Sequence, residues 1–174
     1  MEIRLGPLRP PDRARVAELL VSTGVFSDEE VGVALQLFDV SVDERAARTP
    51  GAPAPDYEFT GAFEGKRLLG YACAGPTPAT DGTFDLYWLA VDPAAQGQGV
   101  GRSIVRDVER QLRERGARML LVETSSRPDY SKTRAFYARC GYTEAARIRD
   151  FYAPADDRIM LTTRLTTERG AATR

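Results

Sequence analysis

The spacing of hydrophobic positions changes several times along the chain, and each change marks an element. Ile3 and Leu5 alternate with polar residues over Glu2–Leu8, which is a strand pattern. Pro10-Pro11-Asp12 then opens a helix in which Val16, Leu19 and Leu20 share a face, and Gly24 stops it. Ser27 and Glu30 have capping-box spacing, with Phe26 and Val31 placed for a hydrophobic staple. They start a second helix carrying Val31, Leu35 and Phe38. Thr49–Pro55, rich in Pro and Ala, reads as a loop. Tyr57–Phe63 and Leu68–Ala74 read as strands joined by the hairpin turn Glu64-Gly65-Lys66. Pro76 to Gly82 is turn-rich, and Phe84–Val91 is an aromatic strand. Gly99–Gly116 is a helix with Val100, Ile104, Val108 and Leu112 on one face and a glycine in the C-cap place. Met119–Glu123 is an apolar run of buried-strand type. Thr133–Cys140 is a short helix ended by Gly141, and strands around Ala145–Phe151 and Arg158–Leu165 close the pattern.

The order is strand, two helices, three strands, helix, strand, helix, two strands. It predicts an α/β fold of the mixed-sheet (α+β) kind in one domain spanning residues 1–165, with 166–174 as a frayed tail. The length of 174 residues fits one domain. A chain of this size buries enough surface to fold without a disulfide or a metal.

Composition removes several chemistries. There is no histidine. That excludes a Ser-His-Asp triad, a Cys-His pair and every histidine-ligated metal. Proton transfer falls to Asp, Glu, Tyr, Cys, Lys or water. Cys73 and Cys140 stand far apart and read as reduced, buried thiols, which predicts a cytoplasmic protein. Glu2 follows Met1 with no apolar run behind it, so neither a signal peptide nor a membrane span is expected. The net charge of −1 gives no footprint for nucleic acid.

The segment Asp92-Pro93-Ala94-Ala95-Gln96-Gly97-Gln98-Gly99-Val100-Gly101 joins the aromatic strand to the long helix. Alternate glycines let backbone approach a ligand, and the loop ends at a helix N-terminus, where free N–H groups favour an anion. A pyrophosphate suits it, with Arg102 and Ser103 in the first turn. The other reading is a glycine-rich turn that holds nothing. A P-loop would need Gly-Lys-Ser/Thr where Gly101-Arg102-Ser103 stands, and the dinucleotide fingerprint would need its third glycine one residue later.

The spacing Gln96-x-x-Gly99-x-Gly101 resembles the acyl-CoA signature of the GNAT (Gcn5-related N-acetyltransferase) family. Leu89-Ala90-Val91-Asp92-Pro93 is similar to the strand end before that signature. Phe136-Tyr137-Ala138-Arg139-Cys140-Gly141-Tyr142 is similar to the family's second motif. The resemblance covers about Tyr57–Leu165. It implies a central, mostly antiparallel twisted sheet flanked by helices. It also implies acetyl-CoA as acyl-donor cosubstrate, no metal, and an amine acceptor from a small molecule or peptide. Main chain at Leu89, Ala90 and Val91 would meet the pantetheine arm. Gln96, Gly97, Gln98, Gly99, Val100, Gly101, Arg102 and Ser103 would hold the pyrophosphate, and Tyr137 would lie beside the thioester sulfur. Tyr130 stands where the family often has Asn, so a CoA contact made there must be made otherwise.

An amine attacks a thioester only when neutral, so a base is needed. Glu123 matches one base position of the family and Asp85 another. Glu123 is the first choice because four apolar residues precede it, a setting that raises a carboxyl pKa. A solvated carboxylate at a strand end is the alternative for each. Tyr87 and Trp88 flank the expected site and read as packing residues. Asp150, Asp156 and Asp157 form a late acidic cluster that reads as a cation site or a solvated turn. An acyl-CoA-binding or regulatory module without turnover, or an interaction domain with an empty loop, stay as alternatives. Self-association into a homodimer is left open.

Overall fold

The computed structural model describes residues 2–49, 51 and 55–165. Its element order matches the sequence pattern: β1 (Arg4–Pro7), α1 (Arg13–Thr23), α2 (Asp28–Ala47), β2 (Glu58–Glu64), β3 (Arg67–Pro76), β4 (Thr83–Val91), α3 (Val100–Glu114), β5 (Met119–Ser125), α4 (Ser131–Arg139), β6 (Thr143–Ala153) and β7 (Asp156–Arg164). The tail at 166–174 and most of the Thr49–Pro55 loop lie outside the described residues. Seven strands form one sheet in the order β1-β2-β3-β4-β5-β7-β6. β1 with β2, β2 with β3, β5 with β7 and β6 with β7 run antiparallel, while β4 and β5 run parallel. A parallel neighbour requires a crossover, and α3 supplies it.

By its internal contacts the chain divides into two compact units. One runs to Gly75 and resumes over Tyr87–Val108; the other takes Pro76–Leu86 and the described residues from Glu109 onward. In the first unit, Val16, Leu19 and Leu20 of α1 are fully buried, and α1 stops at Gly24 with φ +69°. The capping box at α2 forms as its spacing predicts: Glu30 N–H donates to Ser27 Oγ, and Ser27 N–H donates to Glu30. The buried stripe of α2 is Ala34, Phe38 and Ser41, so Val31 and Leu35 lie on its flank and are only partly buried. Phe38 meets Phe59 edge-on at 5.4 Å, and Phe59 stacks on Tyr71 at 5.9 Å. Each such side chain contributes about 1.5–3 kcal/mol by burial. Against that, the Tyr71 hydroxyl is buried without a partner among the described residues, a cost of about 1–3 kcal/mol. Cys73 is buried as expected, and burial pushes its thiol up. Cys140, expected to be buried, is only half-buried.

The second unit centres on Leu120, Leu121 and Val122 of β5, Ile159 and Leu161 of β7, Leu112, Tyr137 and Tyr142. Two helices end here in the same way. After α3, Ala117 N–H bonds Leu112 O and Gly116 N–H bonds Arg113 O, with Gly116 at φ +79°. After α4, Tyr142 N–H bonds Tyr137 O and Gly141 N–H bonds Ala138 O, with Gly141 at φ +95°. Both are Schellman caps. β6 is exposed along its whole length and forms the end of the sheet order.

Candidate active site

The glycine loop belongs to the first unit, and it is held from three sides. Asp92, just past β4, accepts Ala94 N–H at 2.9 Å and caps a short 3-10 turn over Pro93–Ala95. Its other oxygen takes Arg15 at 2.5 Å and Arg67 at 2.7 Å. Those N–H groups, the Ala94 amide first, hold its carboxyl below the usual carboxylate range against the opposing effect of burial. The Gln96 side-chain amide donates to Val91 O at 3.2 Å and that of Gln98 to Ala94 O at 2.9 Å. The glutamines therefore brace the loop from its side.

Gly97 and Gly99 sit at φ +75° and +84°, and a Cβ on either would meet no atom within 4 Å. Their backbone conformation, not crowding, is what selects glycine there. Gly99 O accepts Ser103 N–H at 2.9 Å, the first bond of α3. The amides of Val100, Gly101 and Arg102 therefore precede the helical ladder. A loop with two positive-φ glycines, open ground in front of them and a first helical turn behind fits a pyrophosphate.

The remaining candidates belong to the second unit, and strand register decides which face they share. Asp85 pairs with Leu121 across the parallel β4–β5 ladder. Glu123 lies two residues beyond Leu121, so it shares that face. Ser125 pairs with Arg158 of β7, which brings Arg158 to the same face. Asp85, Glu123 and Arg158 thus stand on three adjacent strands.

The two carboxylates differ. Asp85 is half-buried and accepts the Thr77 hydroxyl at 2.7 Å. Burial pushes its carboxyl up first, aided by the charge of Glu123; the Thr77 hydrogen bond and Arg158 pull the other way. Glu123 is exposed and ion-paired with Arg158. The apolar run buries Leu120 to Val122, but the burial expected at Glu123 is absent, because that residue is exposed.

Tyr137 is buried, with its ring edge-on to Phe136 at 5.1 Å and to Tyr142 at 5.3 Å. Its spacing has a physical reason. Tyr137 is the third-from-last helical position of a Schellman cap, Gly141 the left-handed residue, and Tyr142 the residue whose side chain packs back on it. Tyr142 in turn donates its hydroxyl to Glu109 at 3.1 Å. Burial raises the Tyr137 phenol, so it remains protonated at neutral pH.

Several expected neighbours have other partners. Tyr87, in the first unit, lies against Tyr57 at 5.5 Å and Trp88 at 5.9 Å. The late acidic cluster is used by its own turn and strands: Asp150 accepts Ala155 N–H, Asp157 pairs with Arg147, and Asp156 bonds Ser125. Tyr130 closes a 3-10 turn before α4 through its N–H to Arg127 O. Sequence reasoning missed Thr77, Arg158 and the Arg15–Asp92–Arg67 cluster. No motif marks them, because each acts on a residue at least eight positions away.

With this geometry in hand, comparison with known proteins identifies the class. The acetyltransferase (GNAT) family model matches residues 27–142, and the chain belongs to that family. A crystal structure of a GNAT-family protein from Desulfovibrio desulfuricans is 39% identical, with a TM-score of 0.85 over 95% of this chain and 99% of that one. N-alpha-acetyltransferase RimI of Mycobacterium tuberculosis is 30% identical over 57% of this chain and 60% of its own length. Across the curated relatives, the matched stretch spans about half of their length, from 44% to 60%. yncA of Salmonella typhimurium, solved with acetyl-CoA, shares the fold at a TM-score of 0.72 and 16% identity, covering 100% of both chains.

Proposed function

We propose that the chain transfers the acetyl group of acetyl-CoA to a primary amine by direct attack in a ternary complex. The observation that carries this reading is the braced loop, in which Gly97 and Gly99 hold positive φ, with open space where a Cβ would stand, directly before the first turn of α3. The pyrophosphate would lie on Gln98 to Arg102, and the pantetheine arm along the main chain of Leu89, Ala90 and Val91. Acetyl-CoA supplies the activated thioester.

The chain's part is to deliver a neutral amine and to receive the thiolate. An alkylamine of pKa near 10.4 holds its proton at pH 7 at a cost of about 4.6 kcal/mol to remove. Asp85 is the base favoured by its surroundings. Its raised carboxyl lies closer to the amine's own pKa, and Thr77 fixes one oxygen while leaving the other to accept a proton. Glu123, bound to a guanidinium, is the weaker candidate. Tyr137 is the proton donor to the departing sulfur.

Incubation with acetyl-CoA and a panel of amino acids, polyamines, aminoglycosides and peptides tests the proposal through release of free CoA. Release that depends on an amine is the expected result. Stoichiometric binding of acetyl-CoA with no release from any amine would overturn it in favour of a binding module.

A further inference from the structure

We propose that Arg158 selects the acceptor by binding a carboxylate that the amine carries, so that the substrates are amino-carboxylates such as free amino acids. The inference rests on the reading of the chain as an acetyl-CoA-dependent N-acetyltransferase.

Strand register places Arg158 on the sheet face of Asp85 and Glu123. Its side chain is only 26% exposed, so the charge is held in place and partly desolvated. A guanidinium has five N–H donors. Among the described residues, Arg158 uses one nitrogen, Nη2, on Glu123. Its Nε–H is buried with no partner among those residues, an arrangement that costs stability unless something satisfies it. The guanidinium also lies over the Phe151 ring, with Cζ 4.8 Å from the centroid. Pinned between a ring and one carboxylate, it retains free donors in the fork geometry that suits a second carboxylate.

Charge gives the direction of selection. Arg158 is a cation close enough to draw the Asp85 carboxyl down. An amine that carries its own carboxylate gains a charge-assisted bond to the guanidinium, a bond that a polyamine or aminoglycoside has no group to make. Phe151 and Tyr152 expose about half of their surface beside this point and meet edge-on at 5.0 Å. They offer an apolar rim to the substrate's side chain.

Matched pairs that differ only in the carboxylate test this: tyrosine against tyramine, tryptophan against tryptamine, and lysine against cadaverine. The wild type should favour the amino acid in kcat/KM by at least about tenfold. Arg158→Gln should erase that preference through the acceptor KM and leave the KM for acetyl-CoA unchanged. Arg158→Lys, which keeps the charge but loses the fork, should retain part of the preference and serves where the Gln variant fails to fold. Wild-type preference for the decarboxylated amines, or a preference unmoved by Arg158→Gln, would overturn the inference alone. No turnover of either member of any pair would overturn the inference, and the acetyltransfer reading would fall with it only if the aminoglycosides and peptides of the wider panel also released no CoA.

Discussion

Two aspartates bracket β4, and their surroundings push them in opposite directions. Asp92, in the first unit, is nearly buried, yet its carboxyl is held low because a backbone N–H and two arginines meet it. Asp85, in the second, is half-buried with one hydroxyl donor, and burial holds its carboxyl high. Burial alone does not decide a carboxylate's character; the donors that accompany it do. Asp92 is satisfied and structural, fixing the start of the glycine loop. Asp85 has one side-chain hydrogen bond among the described residues, and burial disfavours its charged form. The same contrast runs through the two units. The glycine loop is built from main chain braced by side chains, whereas the candidate chemistry is built from side chains on three strands.

The largest effect should come from Asp85→Asn. Turnover at pH 7 should fall by about a thousandfold, within the range of a general base, and recover partly at high pH as more amine becomes neutral. Glu123→Gln should fall by less than about tenfold, since its carboxylate is already engaged. Steady-state kinetics on both variants decides, and the reverse ranking would return Glu123 to the role of base. Next, Tyr137→Phe should lower kcat about a hundredfold with little change in the KM for acetyl-CoA. A low thiol pKa makes the sulfur a tolerable leaving group, which keeps this loss at the lower end. Wild-type kcat in that variant would leave Tyr137 as a packing residue against Phe136 and Tyr142.

The donor half is read by binding and melting. Acetyl-CoA at a hundred times its Kd should stabilise the protein by about 2.7 kcal/mol, seen as a Tm rise of several degrees. Gly99→Val forces a branched residue to φ +84°, and it should abolish that rise while the protein stays folded. An undiminished rise would place the ligand elsewhere. Asp92→Ala should lower stability by about 2 kcal/mol and weaken acetyl-CoA binding, because it releases Ala94 N–H, Arg15 and Arg67 together. Thermal melts with and without acetyl-CoA report both effects.

The smallest effect is a pH slope. Because the folded Asp85 carboxyl is raised, the folded chain binds this proton more readily than the unfolded chain. Stability from that proton is fully present below the ordinary carboxylate range and is lost as pH rises through the raised value. The Tm of Asp85→Asn relative to wild type should therefore increase from acid to neutral pH and then level off. Asp92 has the opposite sign: its contribution is present above the ordinary carboxylate range and is lost as pH falls through its depressed value. A flat difference between wild type and Asp85→Asn would remove the contrast.

Local rules made most of the fold readable from the residues. Periodicity, apolar runs and turn residues located the strands and α-helices of the described residues; the spacing of Ser27 and Glu30 located a cap, and Gly24, Gly116 and Gly141 marked helix ends. These depend on neighbours within a few positions, where backbone geometry fixes what is possible. The loop from Gln96 to Gly101 was legible for the same reason, and so was Tyr137, whose distance from Gly141 and Tyr142 is the spacing of a helix cap. The choice between Glu123 and Asp85 was not. Four apolar residues before Glu123 suggested burial, but Glu123 is exposed between the buried Val122 and Thr124, and Arg158 stands thirty-five positions away. The partners of Asp85, Asp92 and Arg158 come from strand register and helix packing, and only the tertiary structure sets these. Sequence spacing determined where backbone could meet an anion, and the assembled sheet decided which carboxylate is tied to a guanidinium and which is half-buried beside a hydroxyl.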